Sequence, residues 1–262
     1  MTSETTIYGI DFSGSARPAN DIWITEATAI DSELTITSLK PAGELFDASG
    51  RENILEAIRD WIRGQTNAVI GLDFPFGLPE STVEQATWEA FLETFATAFE
   101  GKSIDAFPGQ FGEYDQYKRD IDYQYAGQSP LSPQIQYQVF YGLRDVLWPL
   151  VDAGDISVAP MHDPTTETPT VIETYPAATL GRLGQYRTGY KGTDPSHQQR
   201  RKANVAYLAN ERSDISVPDA VSSQAPDIDD AVDSLYAAVA TWNALIDGLQ
   251  REYRDVEGYM YV

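Results

Sequence analysis

Residues 69–79 read Val-Ile-Gly-Leu-Asp-Phe-Pro-Phe-Gly-Leu-Pro, "VIGLDFPFGLP". An apolar run meets one acid, Asp73, and then breaks into a turn of Phe, Pro and Gly. Residues 7–15, "IYGIDFSGS", do nearly the same with Asp11. Both stretches contain Gly-x-Asp-Phe. The Ala, Val, Ile and Leu of 68–73 predict a strand buried on both faces, as in the parallel part of an α/β sheet. Ligands in such sheets gather outside the carboxyl ends of the strands. If the two strands are neighbours, their carboxylates stand side by side and repel unless protonated or bridged by a cation. The plainer alternative is that each acid caps its own turn.

Outward from these two stretches, 5–12, 21–30 and 33–39 read as short strands joined by tight turns, an antiparallel meander. Residues 51–63 predict a helix, with Ile54, Leu55, Ile58, Trp61 and Ile62 at helical spacing and Gly64 as its stop. A helix there makes a right-handed crossover from the meander into the strand 68–73. Further helices are expected over 81–99, 134–151, 176–183 and 195–211, and a strand over 170–174. The last helix is expected over about 227–248, with Asp227 as its cap. Residues 100–134 are rich in Tyr, Phe, Gly, Pro and Asp without clear periodicity, and read as an insertion or a functional cover. The order predicts one α/β domain, 1–262, around a mixed sheet.

The chain of 262 residues carries a formal net charge of −22 and only five lysines, Lys40, Lys102, Lys118, Lys191 and Lys202. Such a surface is wrong for coating a polyanion. The acids are dispersed, as on a halophile's solvated surface, where molar salt shortens the Debye length to about 3 Å. No stretch approaches the roughly 20 apolar residues of a membrane span. The start, "MTSETT", lacks the basic region of a secretory leader, so a cytoplasmic location is expected. There is no cysteine, and His162 and His197 are the only histidines. Thiol catalysis and Cys- or His-rich metal sites are excluded, and a metal would sit on oxygen ligands, which suit Mg²⁺, Mn²⁺ or Ca²⁺.

Other acids can join Asp11 and Asp73. Glu173 ends the run "VIET" ahead of Pro176, as a further site acid or as the start of a helix. In "PDIDDAVDSLYAA", Asp230 and Asp233 share one helix face. Acids in a first helical turn also favour the macrodipole, which accounts for Asp227, Asp229 and Asp230 better than for Asp233. The alanines that follow would let this helix pack close to a sheet. Three to five carboxylates make a site for one or two hard divalent cations. Two such ions about 4 Å apart would clamp a phosphodiester.

"GIDFSGS", "IGLDFPFGLP", "VIETYPAATL", "YKG" and "DDAVDSLYAA" resemble, in order from residue 7 to about 245, the family called domain of unknown function 429. That family is described as a predicted nuclease with a ribonuclease H-like fold. The Asp-x-x-Asp of 230–233 also resembles the final helix of Holliday-junction resolvases. The resemblance implies a five-stranded mixed sheet in the order 3-2-1-4-5. It implies Asp11, Asp73, Asp230 and Asp233 as metal ligands, Glu173 close by, and a nucleic acid or other phosphodiester as substrate.

Arg119, Lys191 and Arg201 lie in or beside irregular segments, where they would contact a phosphate or form surface ion pairs. The turn Ser13-Gly14-Ser15 could cradle a phosphate through its amides. It keeps a second reading open, an actin-like small-molecule phosphotransferase. A third is a non-enzymatic binding protein that retains the fold.

Overall fold

The computed structural model describes residues 4–107, 116–253 and 256–262, and its centre is one mixed sheet. Strands β1 (Thr5–Asp11), β2 (Trp23–Ile30) and β3 (Glu33–Pro41) form the antiparallel meander. Strand β4 (Ala68–Leu72) pairs in parallel with the other side of β1, and every residue of it is buried. Short β5 (Ser157–Val158) and the wholly buried β6 (Thr170–Thr174) follow, with β6 parallel to β4. Two-residue strands β7 (Ile215–Ser216) and β8 (Met260–Tyr261) complete it. The order is β5-β6-β4-β1-β2-β3-β7, with β8 also beside β6. The sheet therefore has eight strands where five were expected. The run β3-β2-β1-β4-β6 keeps the expected order, and the additions are two-residue pieces at its edges. Strands that short leave almost no alternation to read.

The pleat sorts the residues of β1 to two faces. Tyr8 and Ile10 join one core with Ile54, Leu55, Ile58 and Ile62 of helix α1 (Arg51–Arg63). Helix α2 (Trp88–Phe99) adds Phe91 and Phe95 to the same side. It begins at Trp88, later than the expected 81, because the Thr87 hydroxyl accepts from the Ala90 amide as its cap. Two Phe of the quoted motifs, Phe12 and Phe74, pack at 4.9 Å between ring centroids. Burial of each contributes roughly 2 kcal/mol.

The other face meets the last helix. Helices α3 (Asp120–Tyr125), α4 (Pro176–Arg182), α5 (Pro195–Asn210) and α6 (Asp229–Asp247) complete those the site uses. Helix α6 begins at Asp229, and Asp227 does not cap it; Asp227 accepts instead from Gln198 of α5. Almost all of α6 after its first turn is buried, and it lies directly on Gly9 and Gly71. A Cβ at Gly9 would overlap the backbone of Ser234 and Ala238, and one at Gly71 would overlap Thr241 and Thr174. Backbone cannot move aside as a side-chain tip can. Gly9→Ala is accordingly expected to cost about 3 kcal/mol or lift α6 off the sheet. A lowered urea midpoint would show it, and an unchanged one would refute the packing.

In the segment 100–134, Phe107 packs on Phe95, Phe99 and Phe140, and α3 lies within it. Residues 108–115 of that stretch fall outside the described residues. No helix among the described residues is long and apolar enough to cross a membrane.

Candidate metal centre at the strand ends

Parallel pairing of β1 with β4 sets Ile10 opposite Leu72, so Asp11 and Asp73 come next on adjacent strands. The Asp73 amide donates to the Ile10 carbonyl at 2.9 Å, which prolongs the ladder to that point. Gly9 and Asp11 are two residues apart and share the face that carries α6. Because the glycines admit α6 so closely, Asp233 reaches the same place. One carboxylate oxygen from each of Asp11, Asp73 and Asp233 lies within 4.8 Å of the others. Asp11 is 8% exposed and Asp233 is 1% exposed.

Two of these acids, Asp11 and Asp73, hold their protons strongly. Burial, then the charges of Asp233 and Asp230, push the Asp11 carboxyl well above its ordinary range. Burial and then Asp233 push Asp73 up to about 8. Two cationic or donor groups relieve Asp233. The Tyr190 hydroxyl donates to Oδ1 at 2.6 Å, and the Lys191 ammonium stands 2.5 Å from Oδ2. Burial first, then Asp233, keeps Tyr190 protonated. Asp233, before burial, is the main influence on Lys191, and it raises that ammonium's pKa. Oδ2 receives this ion pair but no well-directed hydrogen bond. The Lys191 side chain is 57% exposed, so among the described residues the cation paired with these acids reaches in from the outside. An all-oxygen donor set with a buried, incompletely bonded oxygen fits a hard divalent cation.

A stability trend follows from these carboxyls. Asp73 binds its proton more tightly folded than unfolded, so the stability it contributes is full below about pH 4 and lost as pH rises to about 8. Asp230, raised to about 7 chiefly by burial and then Asp229, acts in the same direction. In EDTA and molar KCl, the melting temperature is expected to fall between pH 5 and 8, with a smaller fall in Asp73→Asn. A rise over that range would contradict the arrangement.

The remaining expected site residues divide. Asp230 is partly exposed, one turn before Asp233, and stands outside the three-acid set, although Asp11 feels its charge. Glu173 sits opposite Leu72 on β6, but its oxygens are taken. Arg119 donates to both of them, at 2.5 and 2.8 Å, and the Phe76 amide donates to Oε2 at 2.8 Å. Glu173 is thus engaged in a buried ion pair and stands outside the three-acid set that it was expected to join. Arg119 is 0% exposed and cannot meet a substrate as expected. Arg201 is buried too, donating to the carbonyls of Tyr190, Gly192 and Pro226. It is a strut that holds the Tyr190–Gly192 loop over the acids, not a phosphate contact. Ser13 accepts from the Ser15 amide at 3.2 Å, a local turn. The same turn's carbonyls of Gly14 and Ser15 are held by Arg51, and Gly14 lies on the backbone of Tyr137.

The acids open into a cleft of about 480 Å³. Its walls include Tyr175, Gln138, Arg187 and Lys191, and Gln138 donates to the Asp73 carbonyl at 3.3 Å. Sequence reasoning missed the part played by Gly9 and Gly71. Their signal was present: each stands two residues before its Asp, on the same strand face. The motif "YKG" singles out Tyr190 in the sequence, but not its role as the donor to Asp233.

Compared with known families, the chain matches the one described as protein of unknown function (DUF429) over residues 9–257, and it belongs to that family. Comparison with curated proteins and with solved structures gave no match.

Proposed function

We propose that this member of the family is a Mg²⁺- or Mn²⁺-dependent phosphodiesterase, a nuclease of ribonuclease H-like fold. The observation that carries the reading is the meeting of Asp11, Asp73 and Asp233 around an exposed lysine. The strand run β3-β2-β1-β4-β6, with acids at the ends of β1 and β4 and on the last helix, supports the fold assignment.

Asp11, Asp73 and Asp233 would hold the cation. Bound there, it would supply Lewis acidity to a phosphoryl oxygen and a more acidic water. Lys191 leaves Asp233 and meets a non-bridging oxygen of the phosphate. In the reaction, a water oxygen bonds to phosphorus and the bond from phosphorus to one ester oxygen breaks. Asp230, outside the set and partly exposed, accepts the water's proton, and the departing oxygen takes a proton from solvent water. Glu173 has no part in this, because Arg119 holds it. Tyr190 and Arg201 position the lysine-bearing loop. The phosphotransferase reading lacks an open phosphate loop, since the Ser13–Ser15 turn is packed on Tyr137 and tied by Arg51.

The test is hydrolysis of bis(p-nitrophenyl) phosphate in molar KCl, with Mn²⁺ and with EDTA. Turnover that needs the metal is expected. Its absence there and on DNA and RNA, together with no Mn²⁺ binding by calorimetry, would overturn the proposal.

A further inference from the structure

The cleft is lined by Asp11 and Asp73 and by a second wall of other chemistry: Tyr175, the apolar Ile135 and Met260, and the exposed Gln128 and Gln134. We propose that this second wall seats a single nucleoside beside the scissile phosphate, so that the substrate is a dinucleotide or the free end of a single strand, and not the interior of a duplex. This rests on the phosphodiesterase reading.

Three observations carry it. The first is size: about 480 Å³ lies in the range that encloses a small ligand and accommodates a nucleotide or two, not a helix. The second is charge. A duplex-binding protein typically neutralises six to ten phosphates with Lys and Arg. Here the chain has a net charge of −22, and Arg187 and Lys191 are the cations among the described residues lining the cleft. That supply suits one or two phosphates. The third is the chemistry of the wall. A half-buried tyrosine ring offers a stacking surface that accepts any base. Primary amides carry a donor and an acceptor each, which suits the edge of a base. Tyr175 directly follows β6, so it is rigidly placed next to the acids. Arg187 stands beside it and donates to the Tyr125 carbonyl at 3.1 Å. An aromatic face, base-edge amides and a cation-holding pole in one cleft are the parts a nucleoside phosphodiester needs.

The chemical step is the hydrolysis already described: water adds to phosphorus, the ester bond to the neighbouring nucleoside breaks, and that nucleoside's oxygen leaves with a proton.

The test has two arms, both in molar KCl. First, a dinucleotide, a single-stranded 20-mer and a closed circular duplex are offered with Mn²⁺. Turnover of the dinucleotide, and loss of nucleotides from the end of the 20-mer, are expected while the circle stays closed. Cleavage of the dinucleotide alone assigns the site to free dinucleotides; end-trimming adds strand termini. Second, binding of adenosine, a nucleoside without a phosphate to meet the bare acids, is measured by calorimetry in EDTA, which needs no turnover. Tyr175→Ala is expected to weaken it about tenfold or more, and Gln134→Ala, at an exposed position, to weaken it without changing the melting temperature. Cutting the circle as fast as the dinucleotide, or wild-type affinity in both variants, would overturn the inference. Adenosine binding without any phosphodiester turnover would sink the phosphodiesterase reading and leave the nucleoside seat standing.

Discussion

Asp73→Asn is expected to reduce Mn²⁺-supported phosphodiester hydrolysis by about a thousandfold and, in the same protein, to raise the melting temperature of the metal-free form at pH 8. The activity loss follows from geometry. Asp73 is one of three acids whose oxygens lie within 4.8 Å of one another, and asparagine keeps the shape while removing the charge. A bound cation stabilises transition-state charge by several kcal/mol, and about 4 kcal/mol corresponds to three decades of rate. The gain in stability follows from the electrostatics. Burial and Asp233 push the Asp73 carboxyl up to about 8, so its ionisation opposes folding without a cation. Asparagine removes that opposition. An inactive variant that merely unfolds shows the opposite melting shift, so the two measurements separate chemistry from folding. Wild-type turnover and Mn²⁺ affinity in Asp73→Asn would refute the metal centre. Asp11→Asn, on the adjoining strand, is expected to behave alike.

Arg119→Ala carries the largest expected cost to the fold. All five guanidinium N–H groups are used: two on Asp122, two on Glu173 and one on the Glu257 carbonyl. Arg119, Asp122 and Glu173 are each no more than 1% exposed. Removing the cation strands two buried carboxylates, a loss of about 3–5 kcal/mol. In a chain of this length that lowers the melting temperature by roughly 10 °C. The double variant Arg119→Met with Glu173→Gln is expected to recover part of it, because a neutral amide costs less to bury than an unpaired acid. Glu173 also holds the Phe76 amide, so the turn after Asp73 loosens with it. An unchanged melting temperature in Arg119→Ala would show that the network contributes no stability.

Part of the site was legible in the chain and part was not, and Glu173 marks the line. In sequence it resembles Asp73: a buried run, an acid, then a proline-led turn. What distinguishes them is Arg119, 54 residues earlier in a segment without periodicity. Arg201 was misread for the same reason. A long cation beside a loop suggests a phosphate contact or a surface ion pair, and only the carbonyls of Tyr190, Gly192 and Pro226 show where its donors are spent. The small β5, β7 and β8 were invisible because two residues carry no alternation.

The sequence by itself determined the strand-end acids and the helix acids, because hydrophobic period and turn residues are local properties. It also determined the oxygen-only chemistry of any metal centre, through the missing cysteine and the scarce histidine. Membership of the family followed from the motifs "GLDFPFGLP" and "ETYPAATL" in their order. The tertiary structure alone decided which acids meet. That choice depends on how near α6 can come to β1 and β4, which Gly9 and Gly71 set by leaving no Cβ in the way, and on which carboxylates a distant arginine already neutralises.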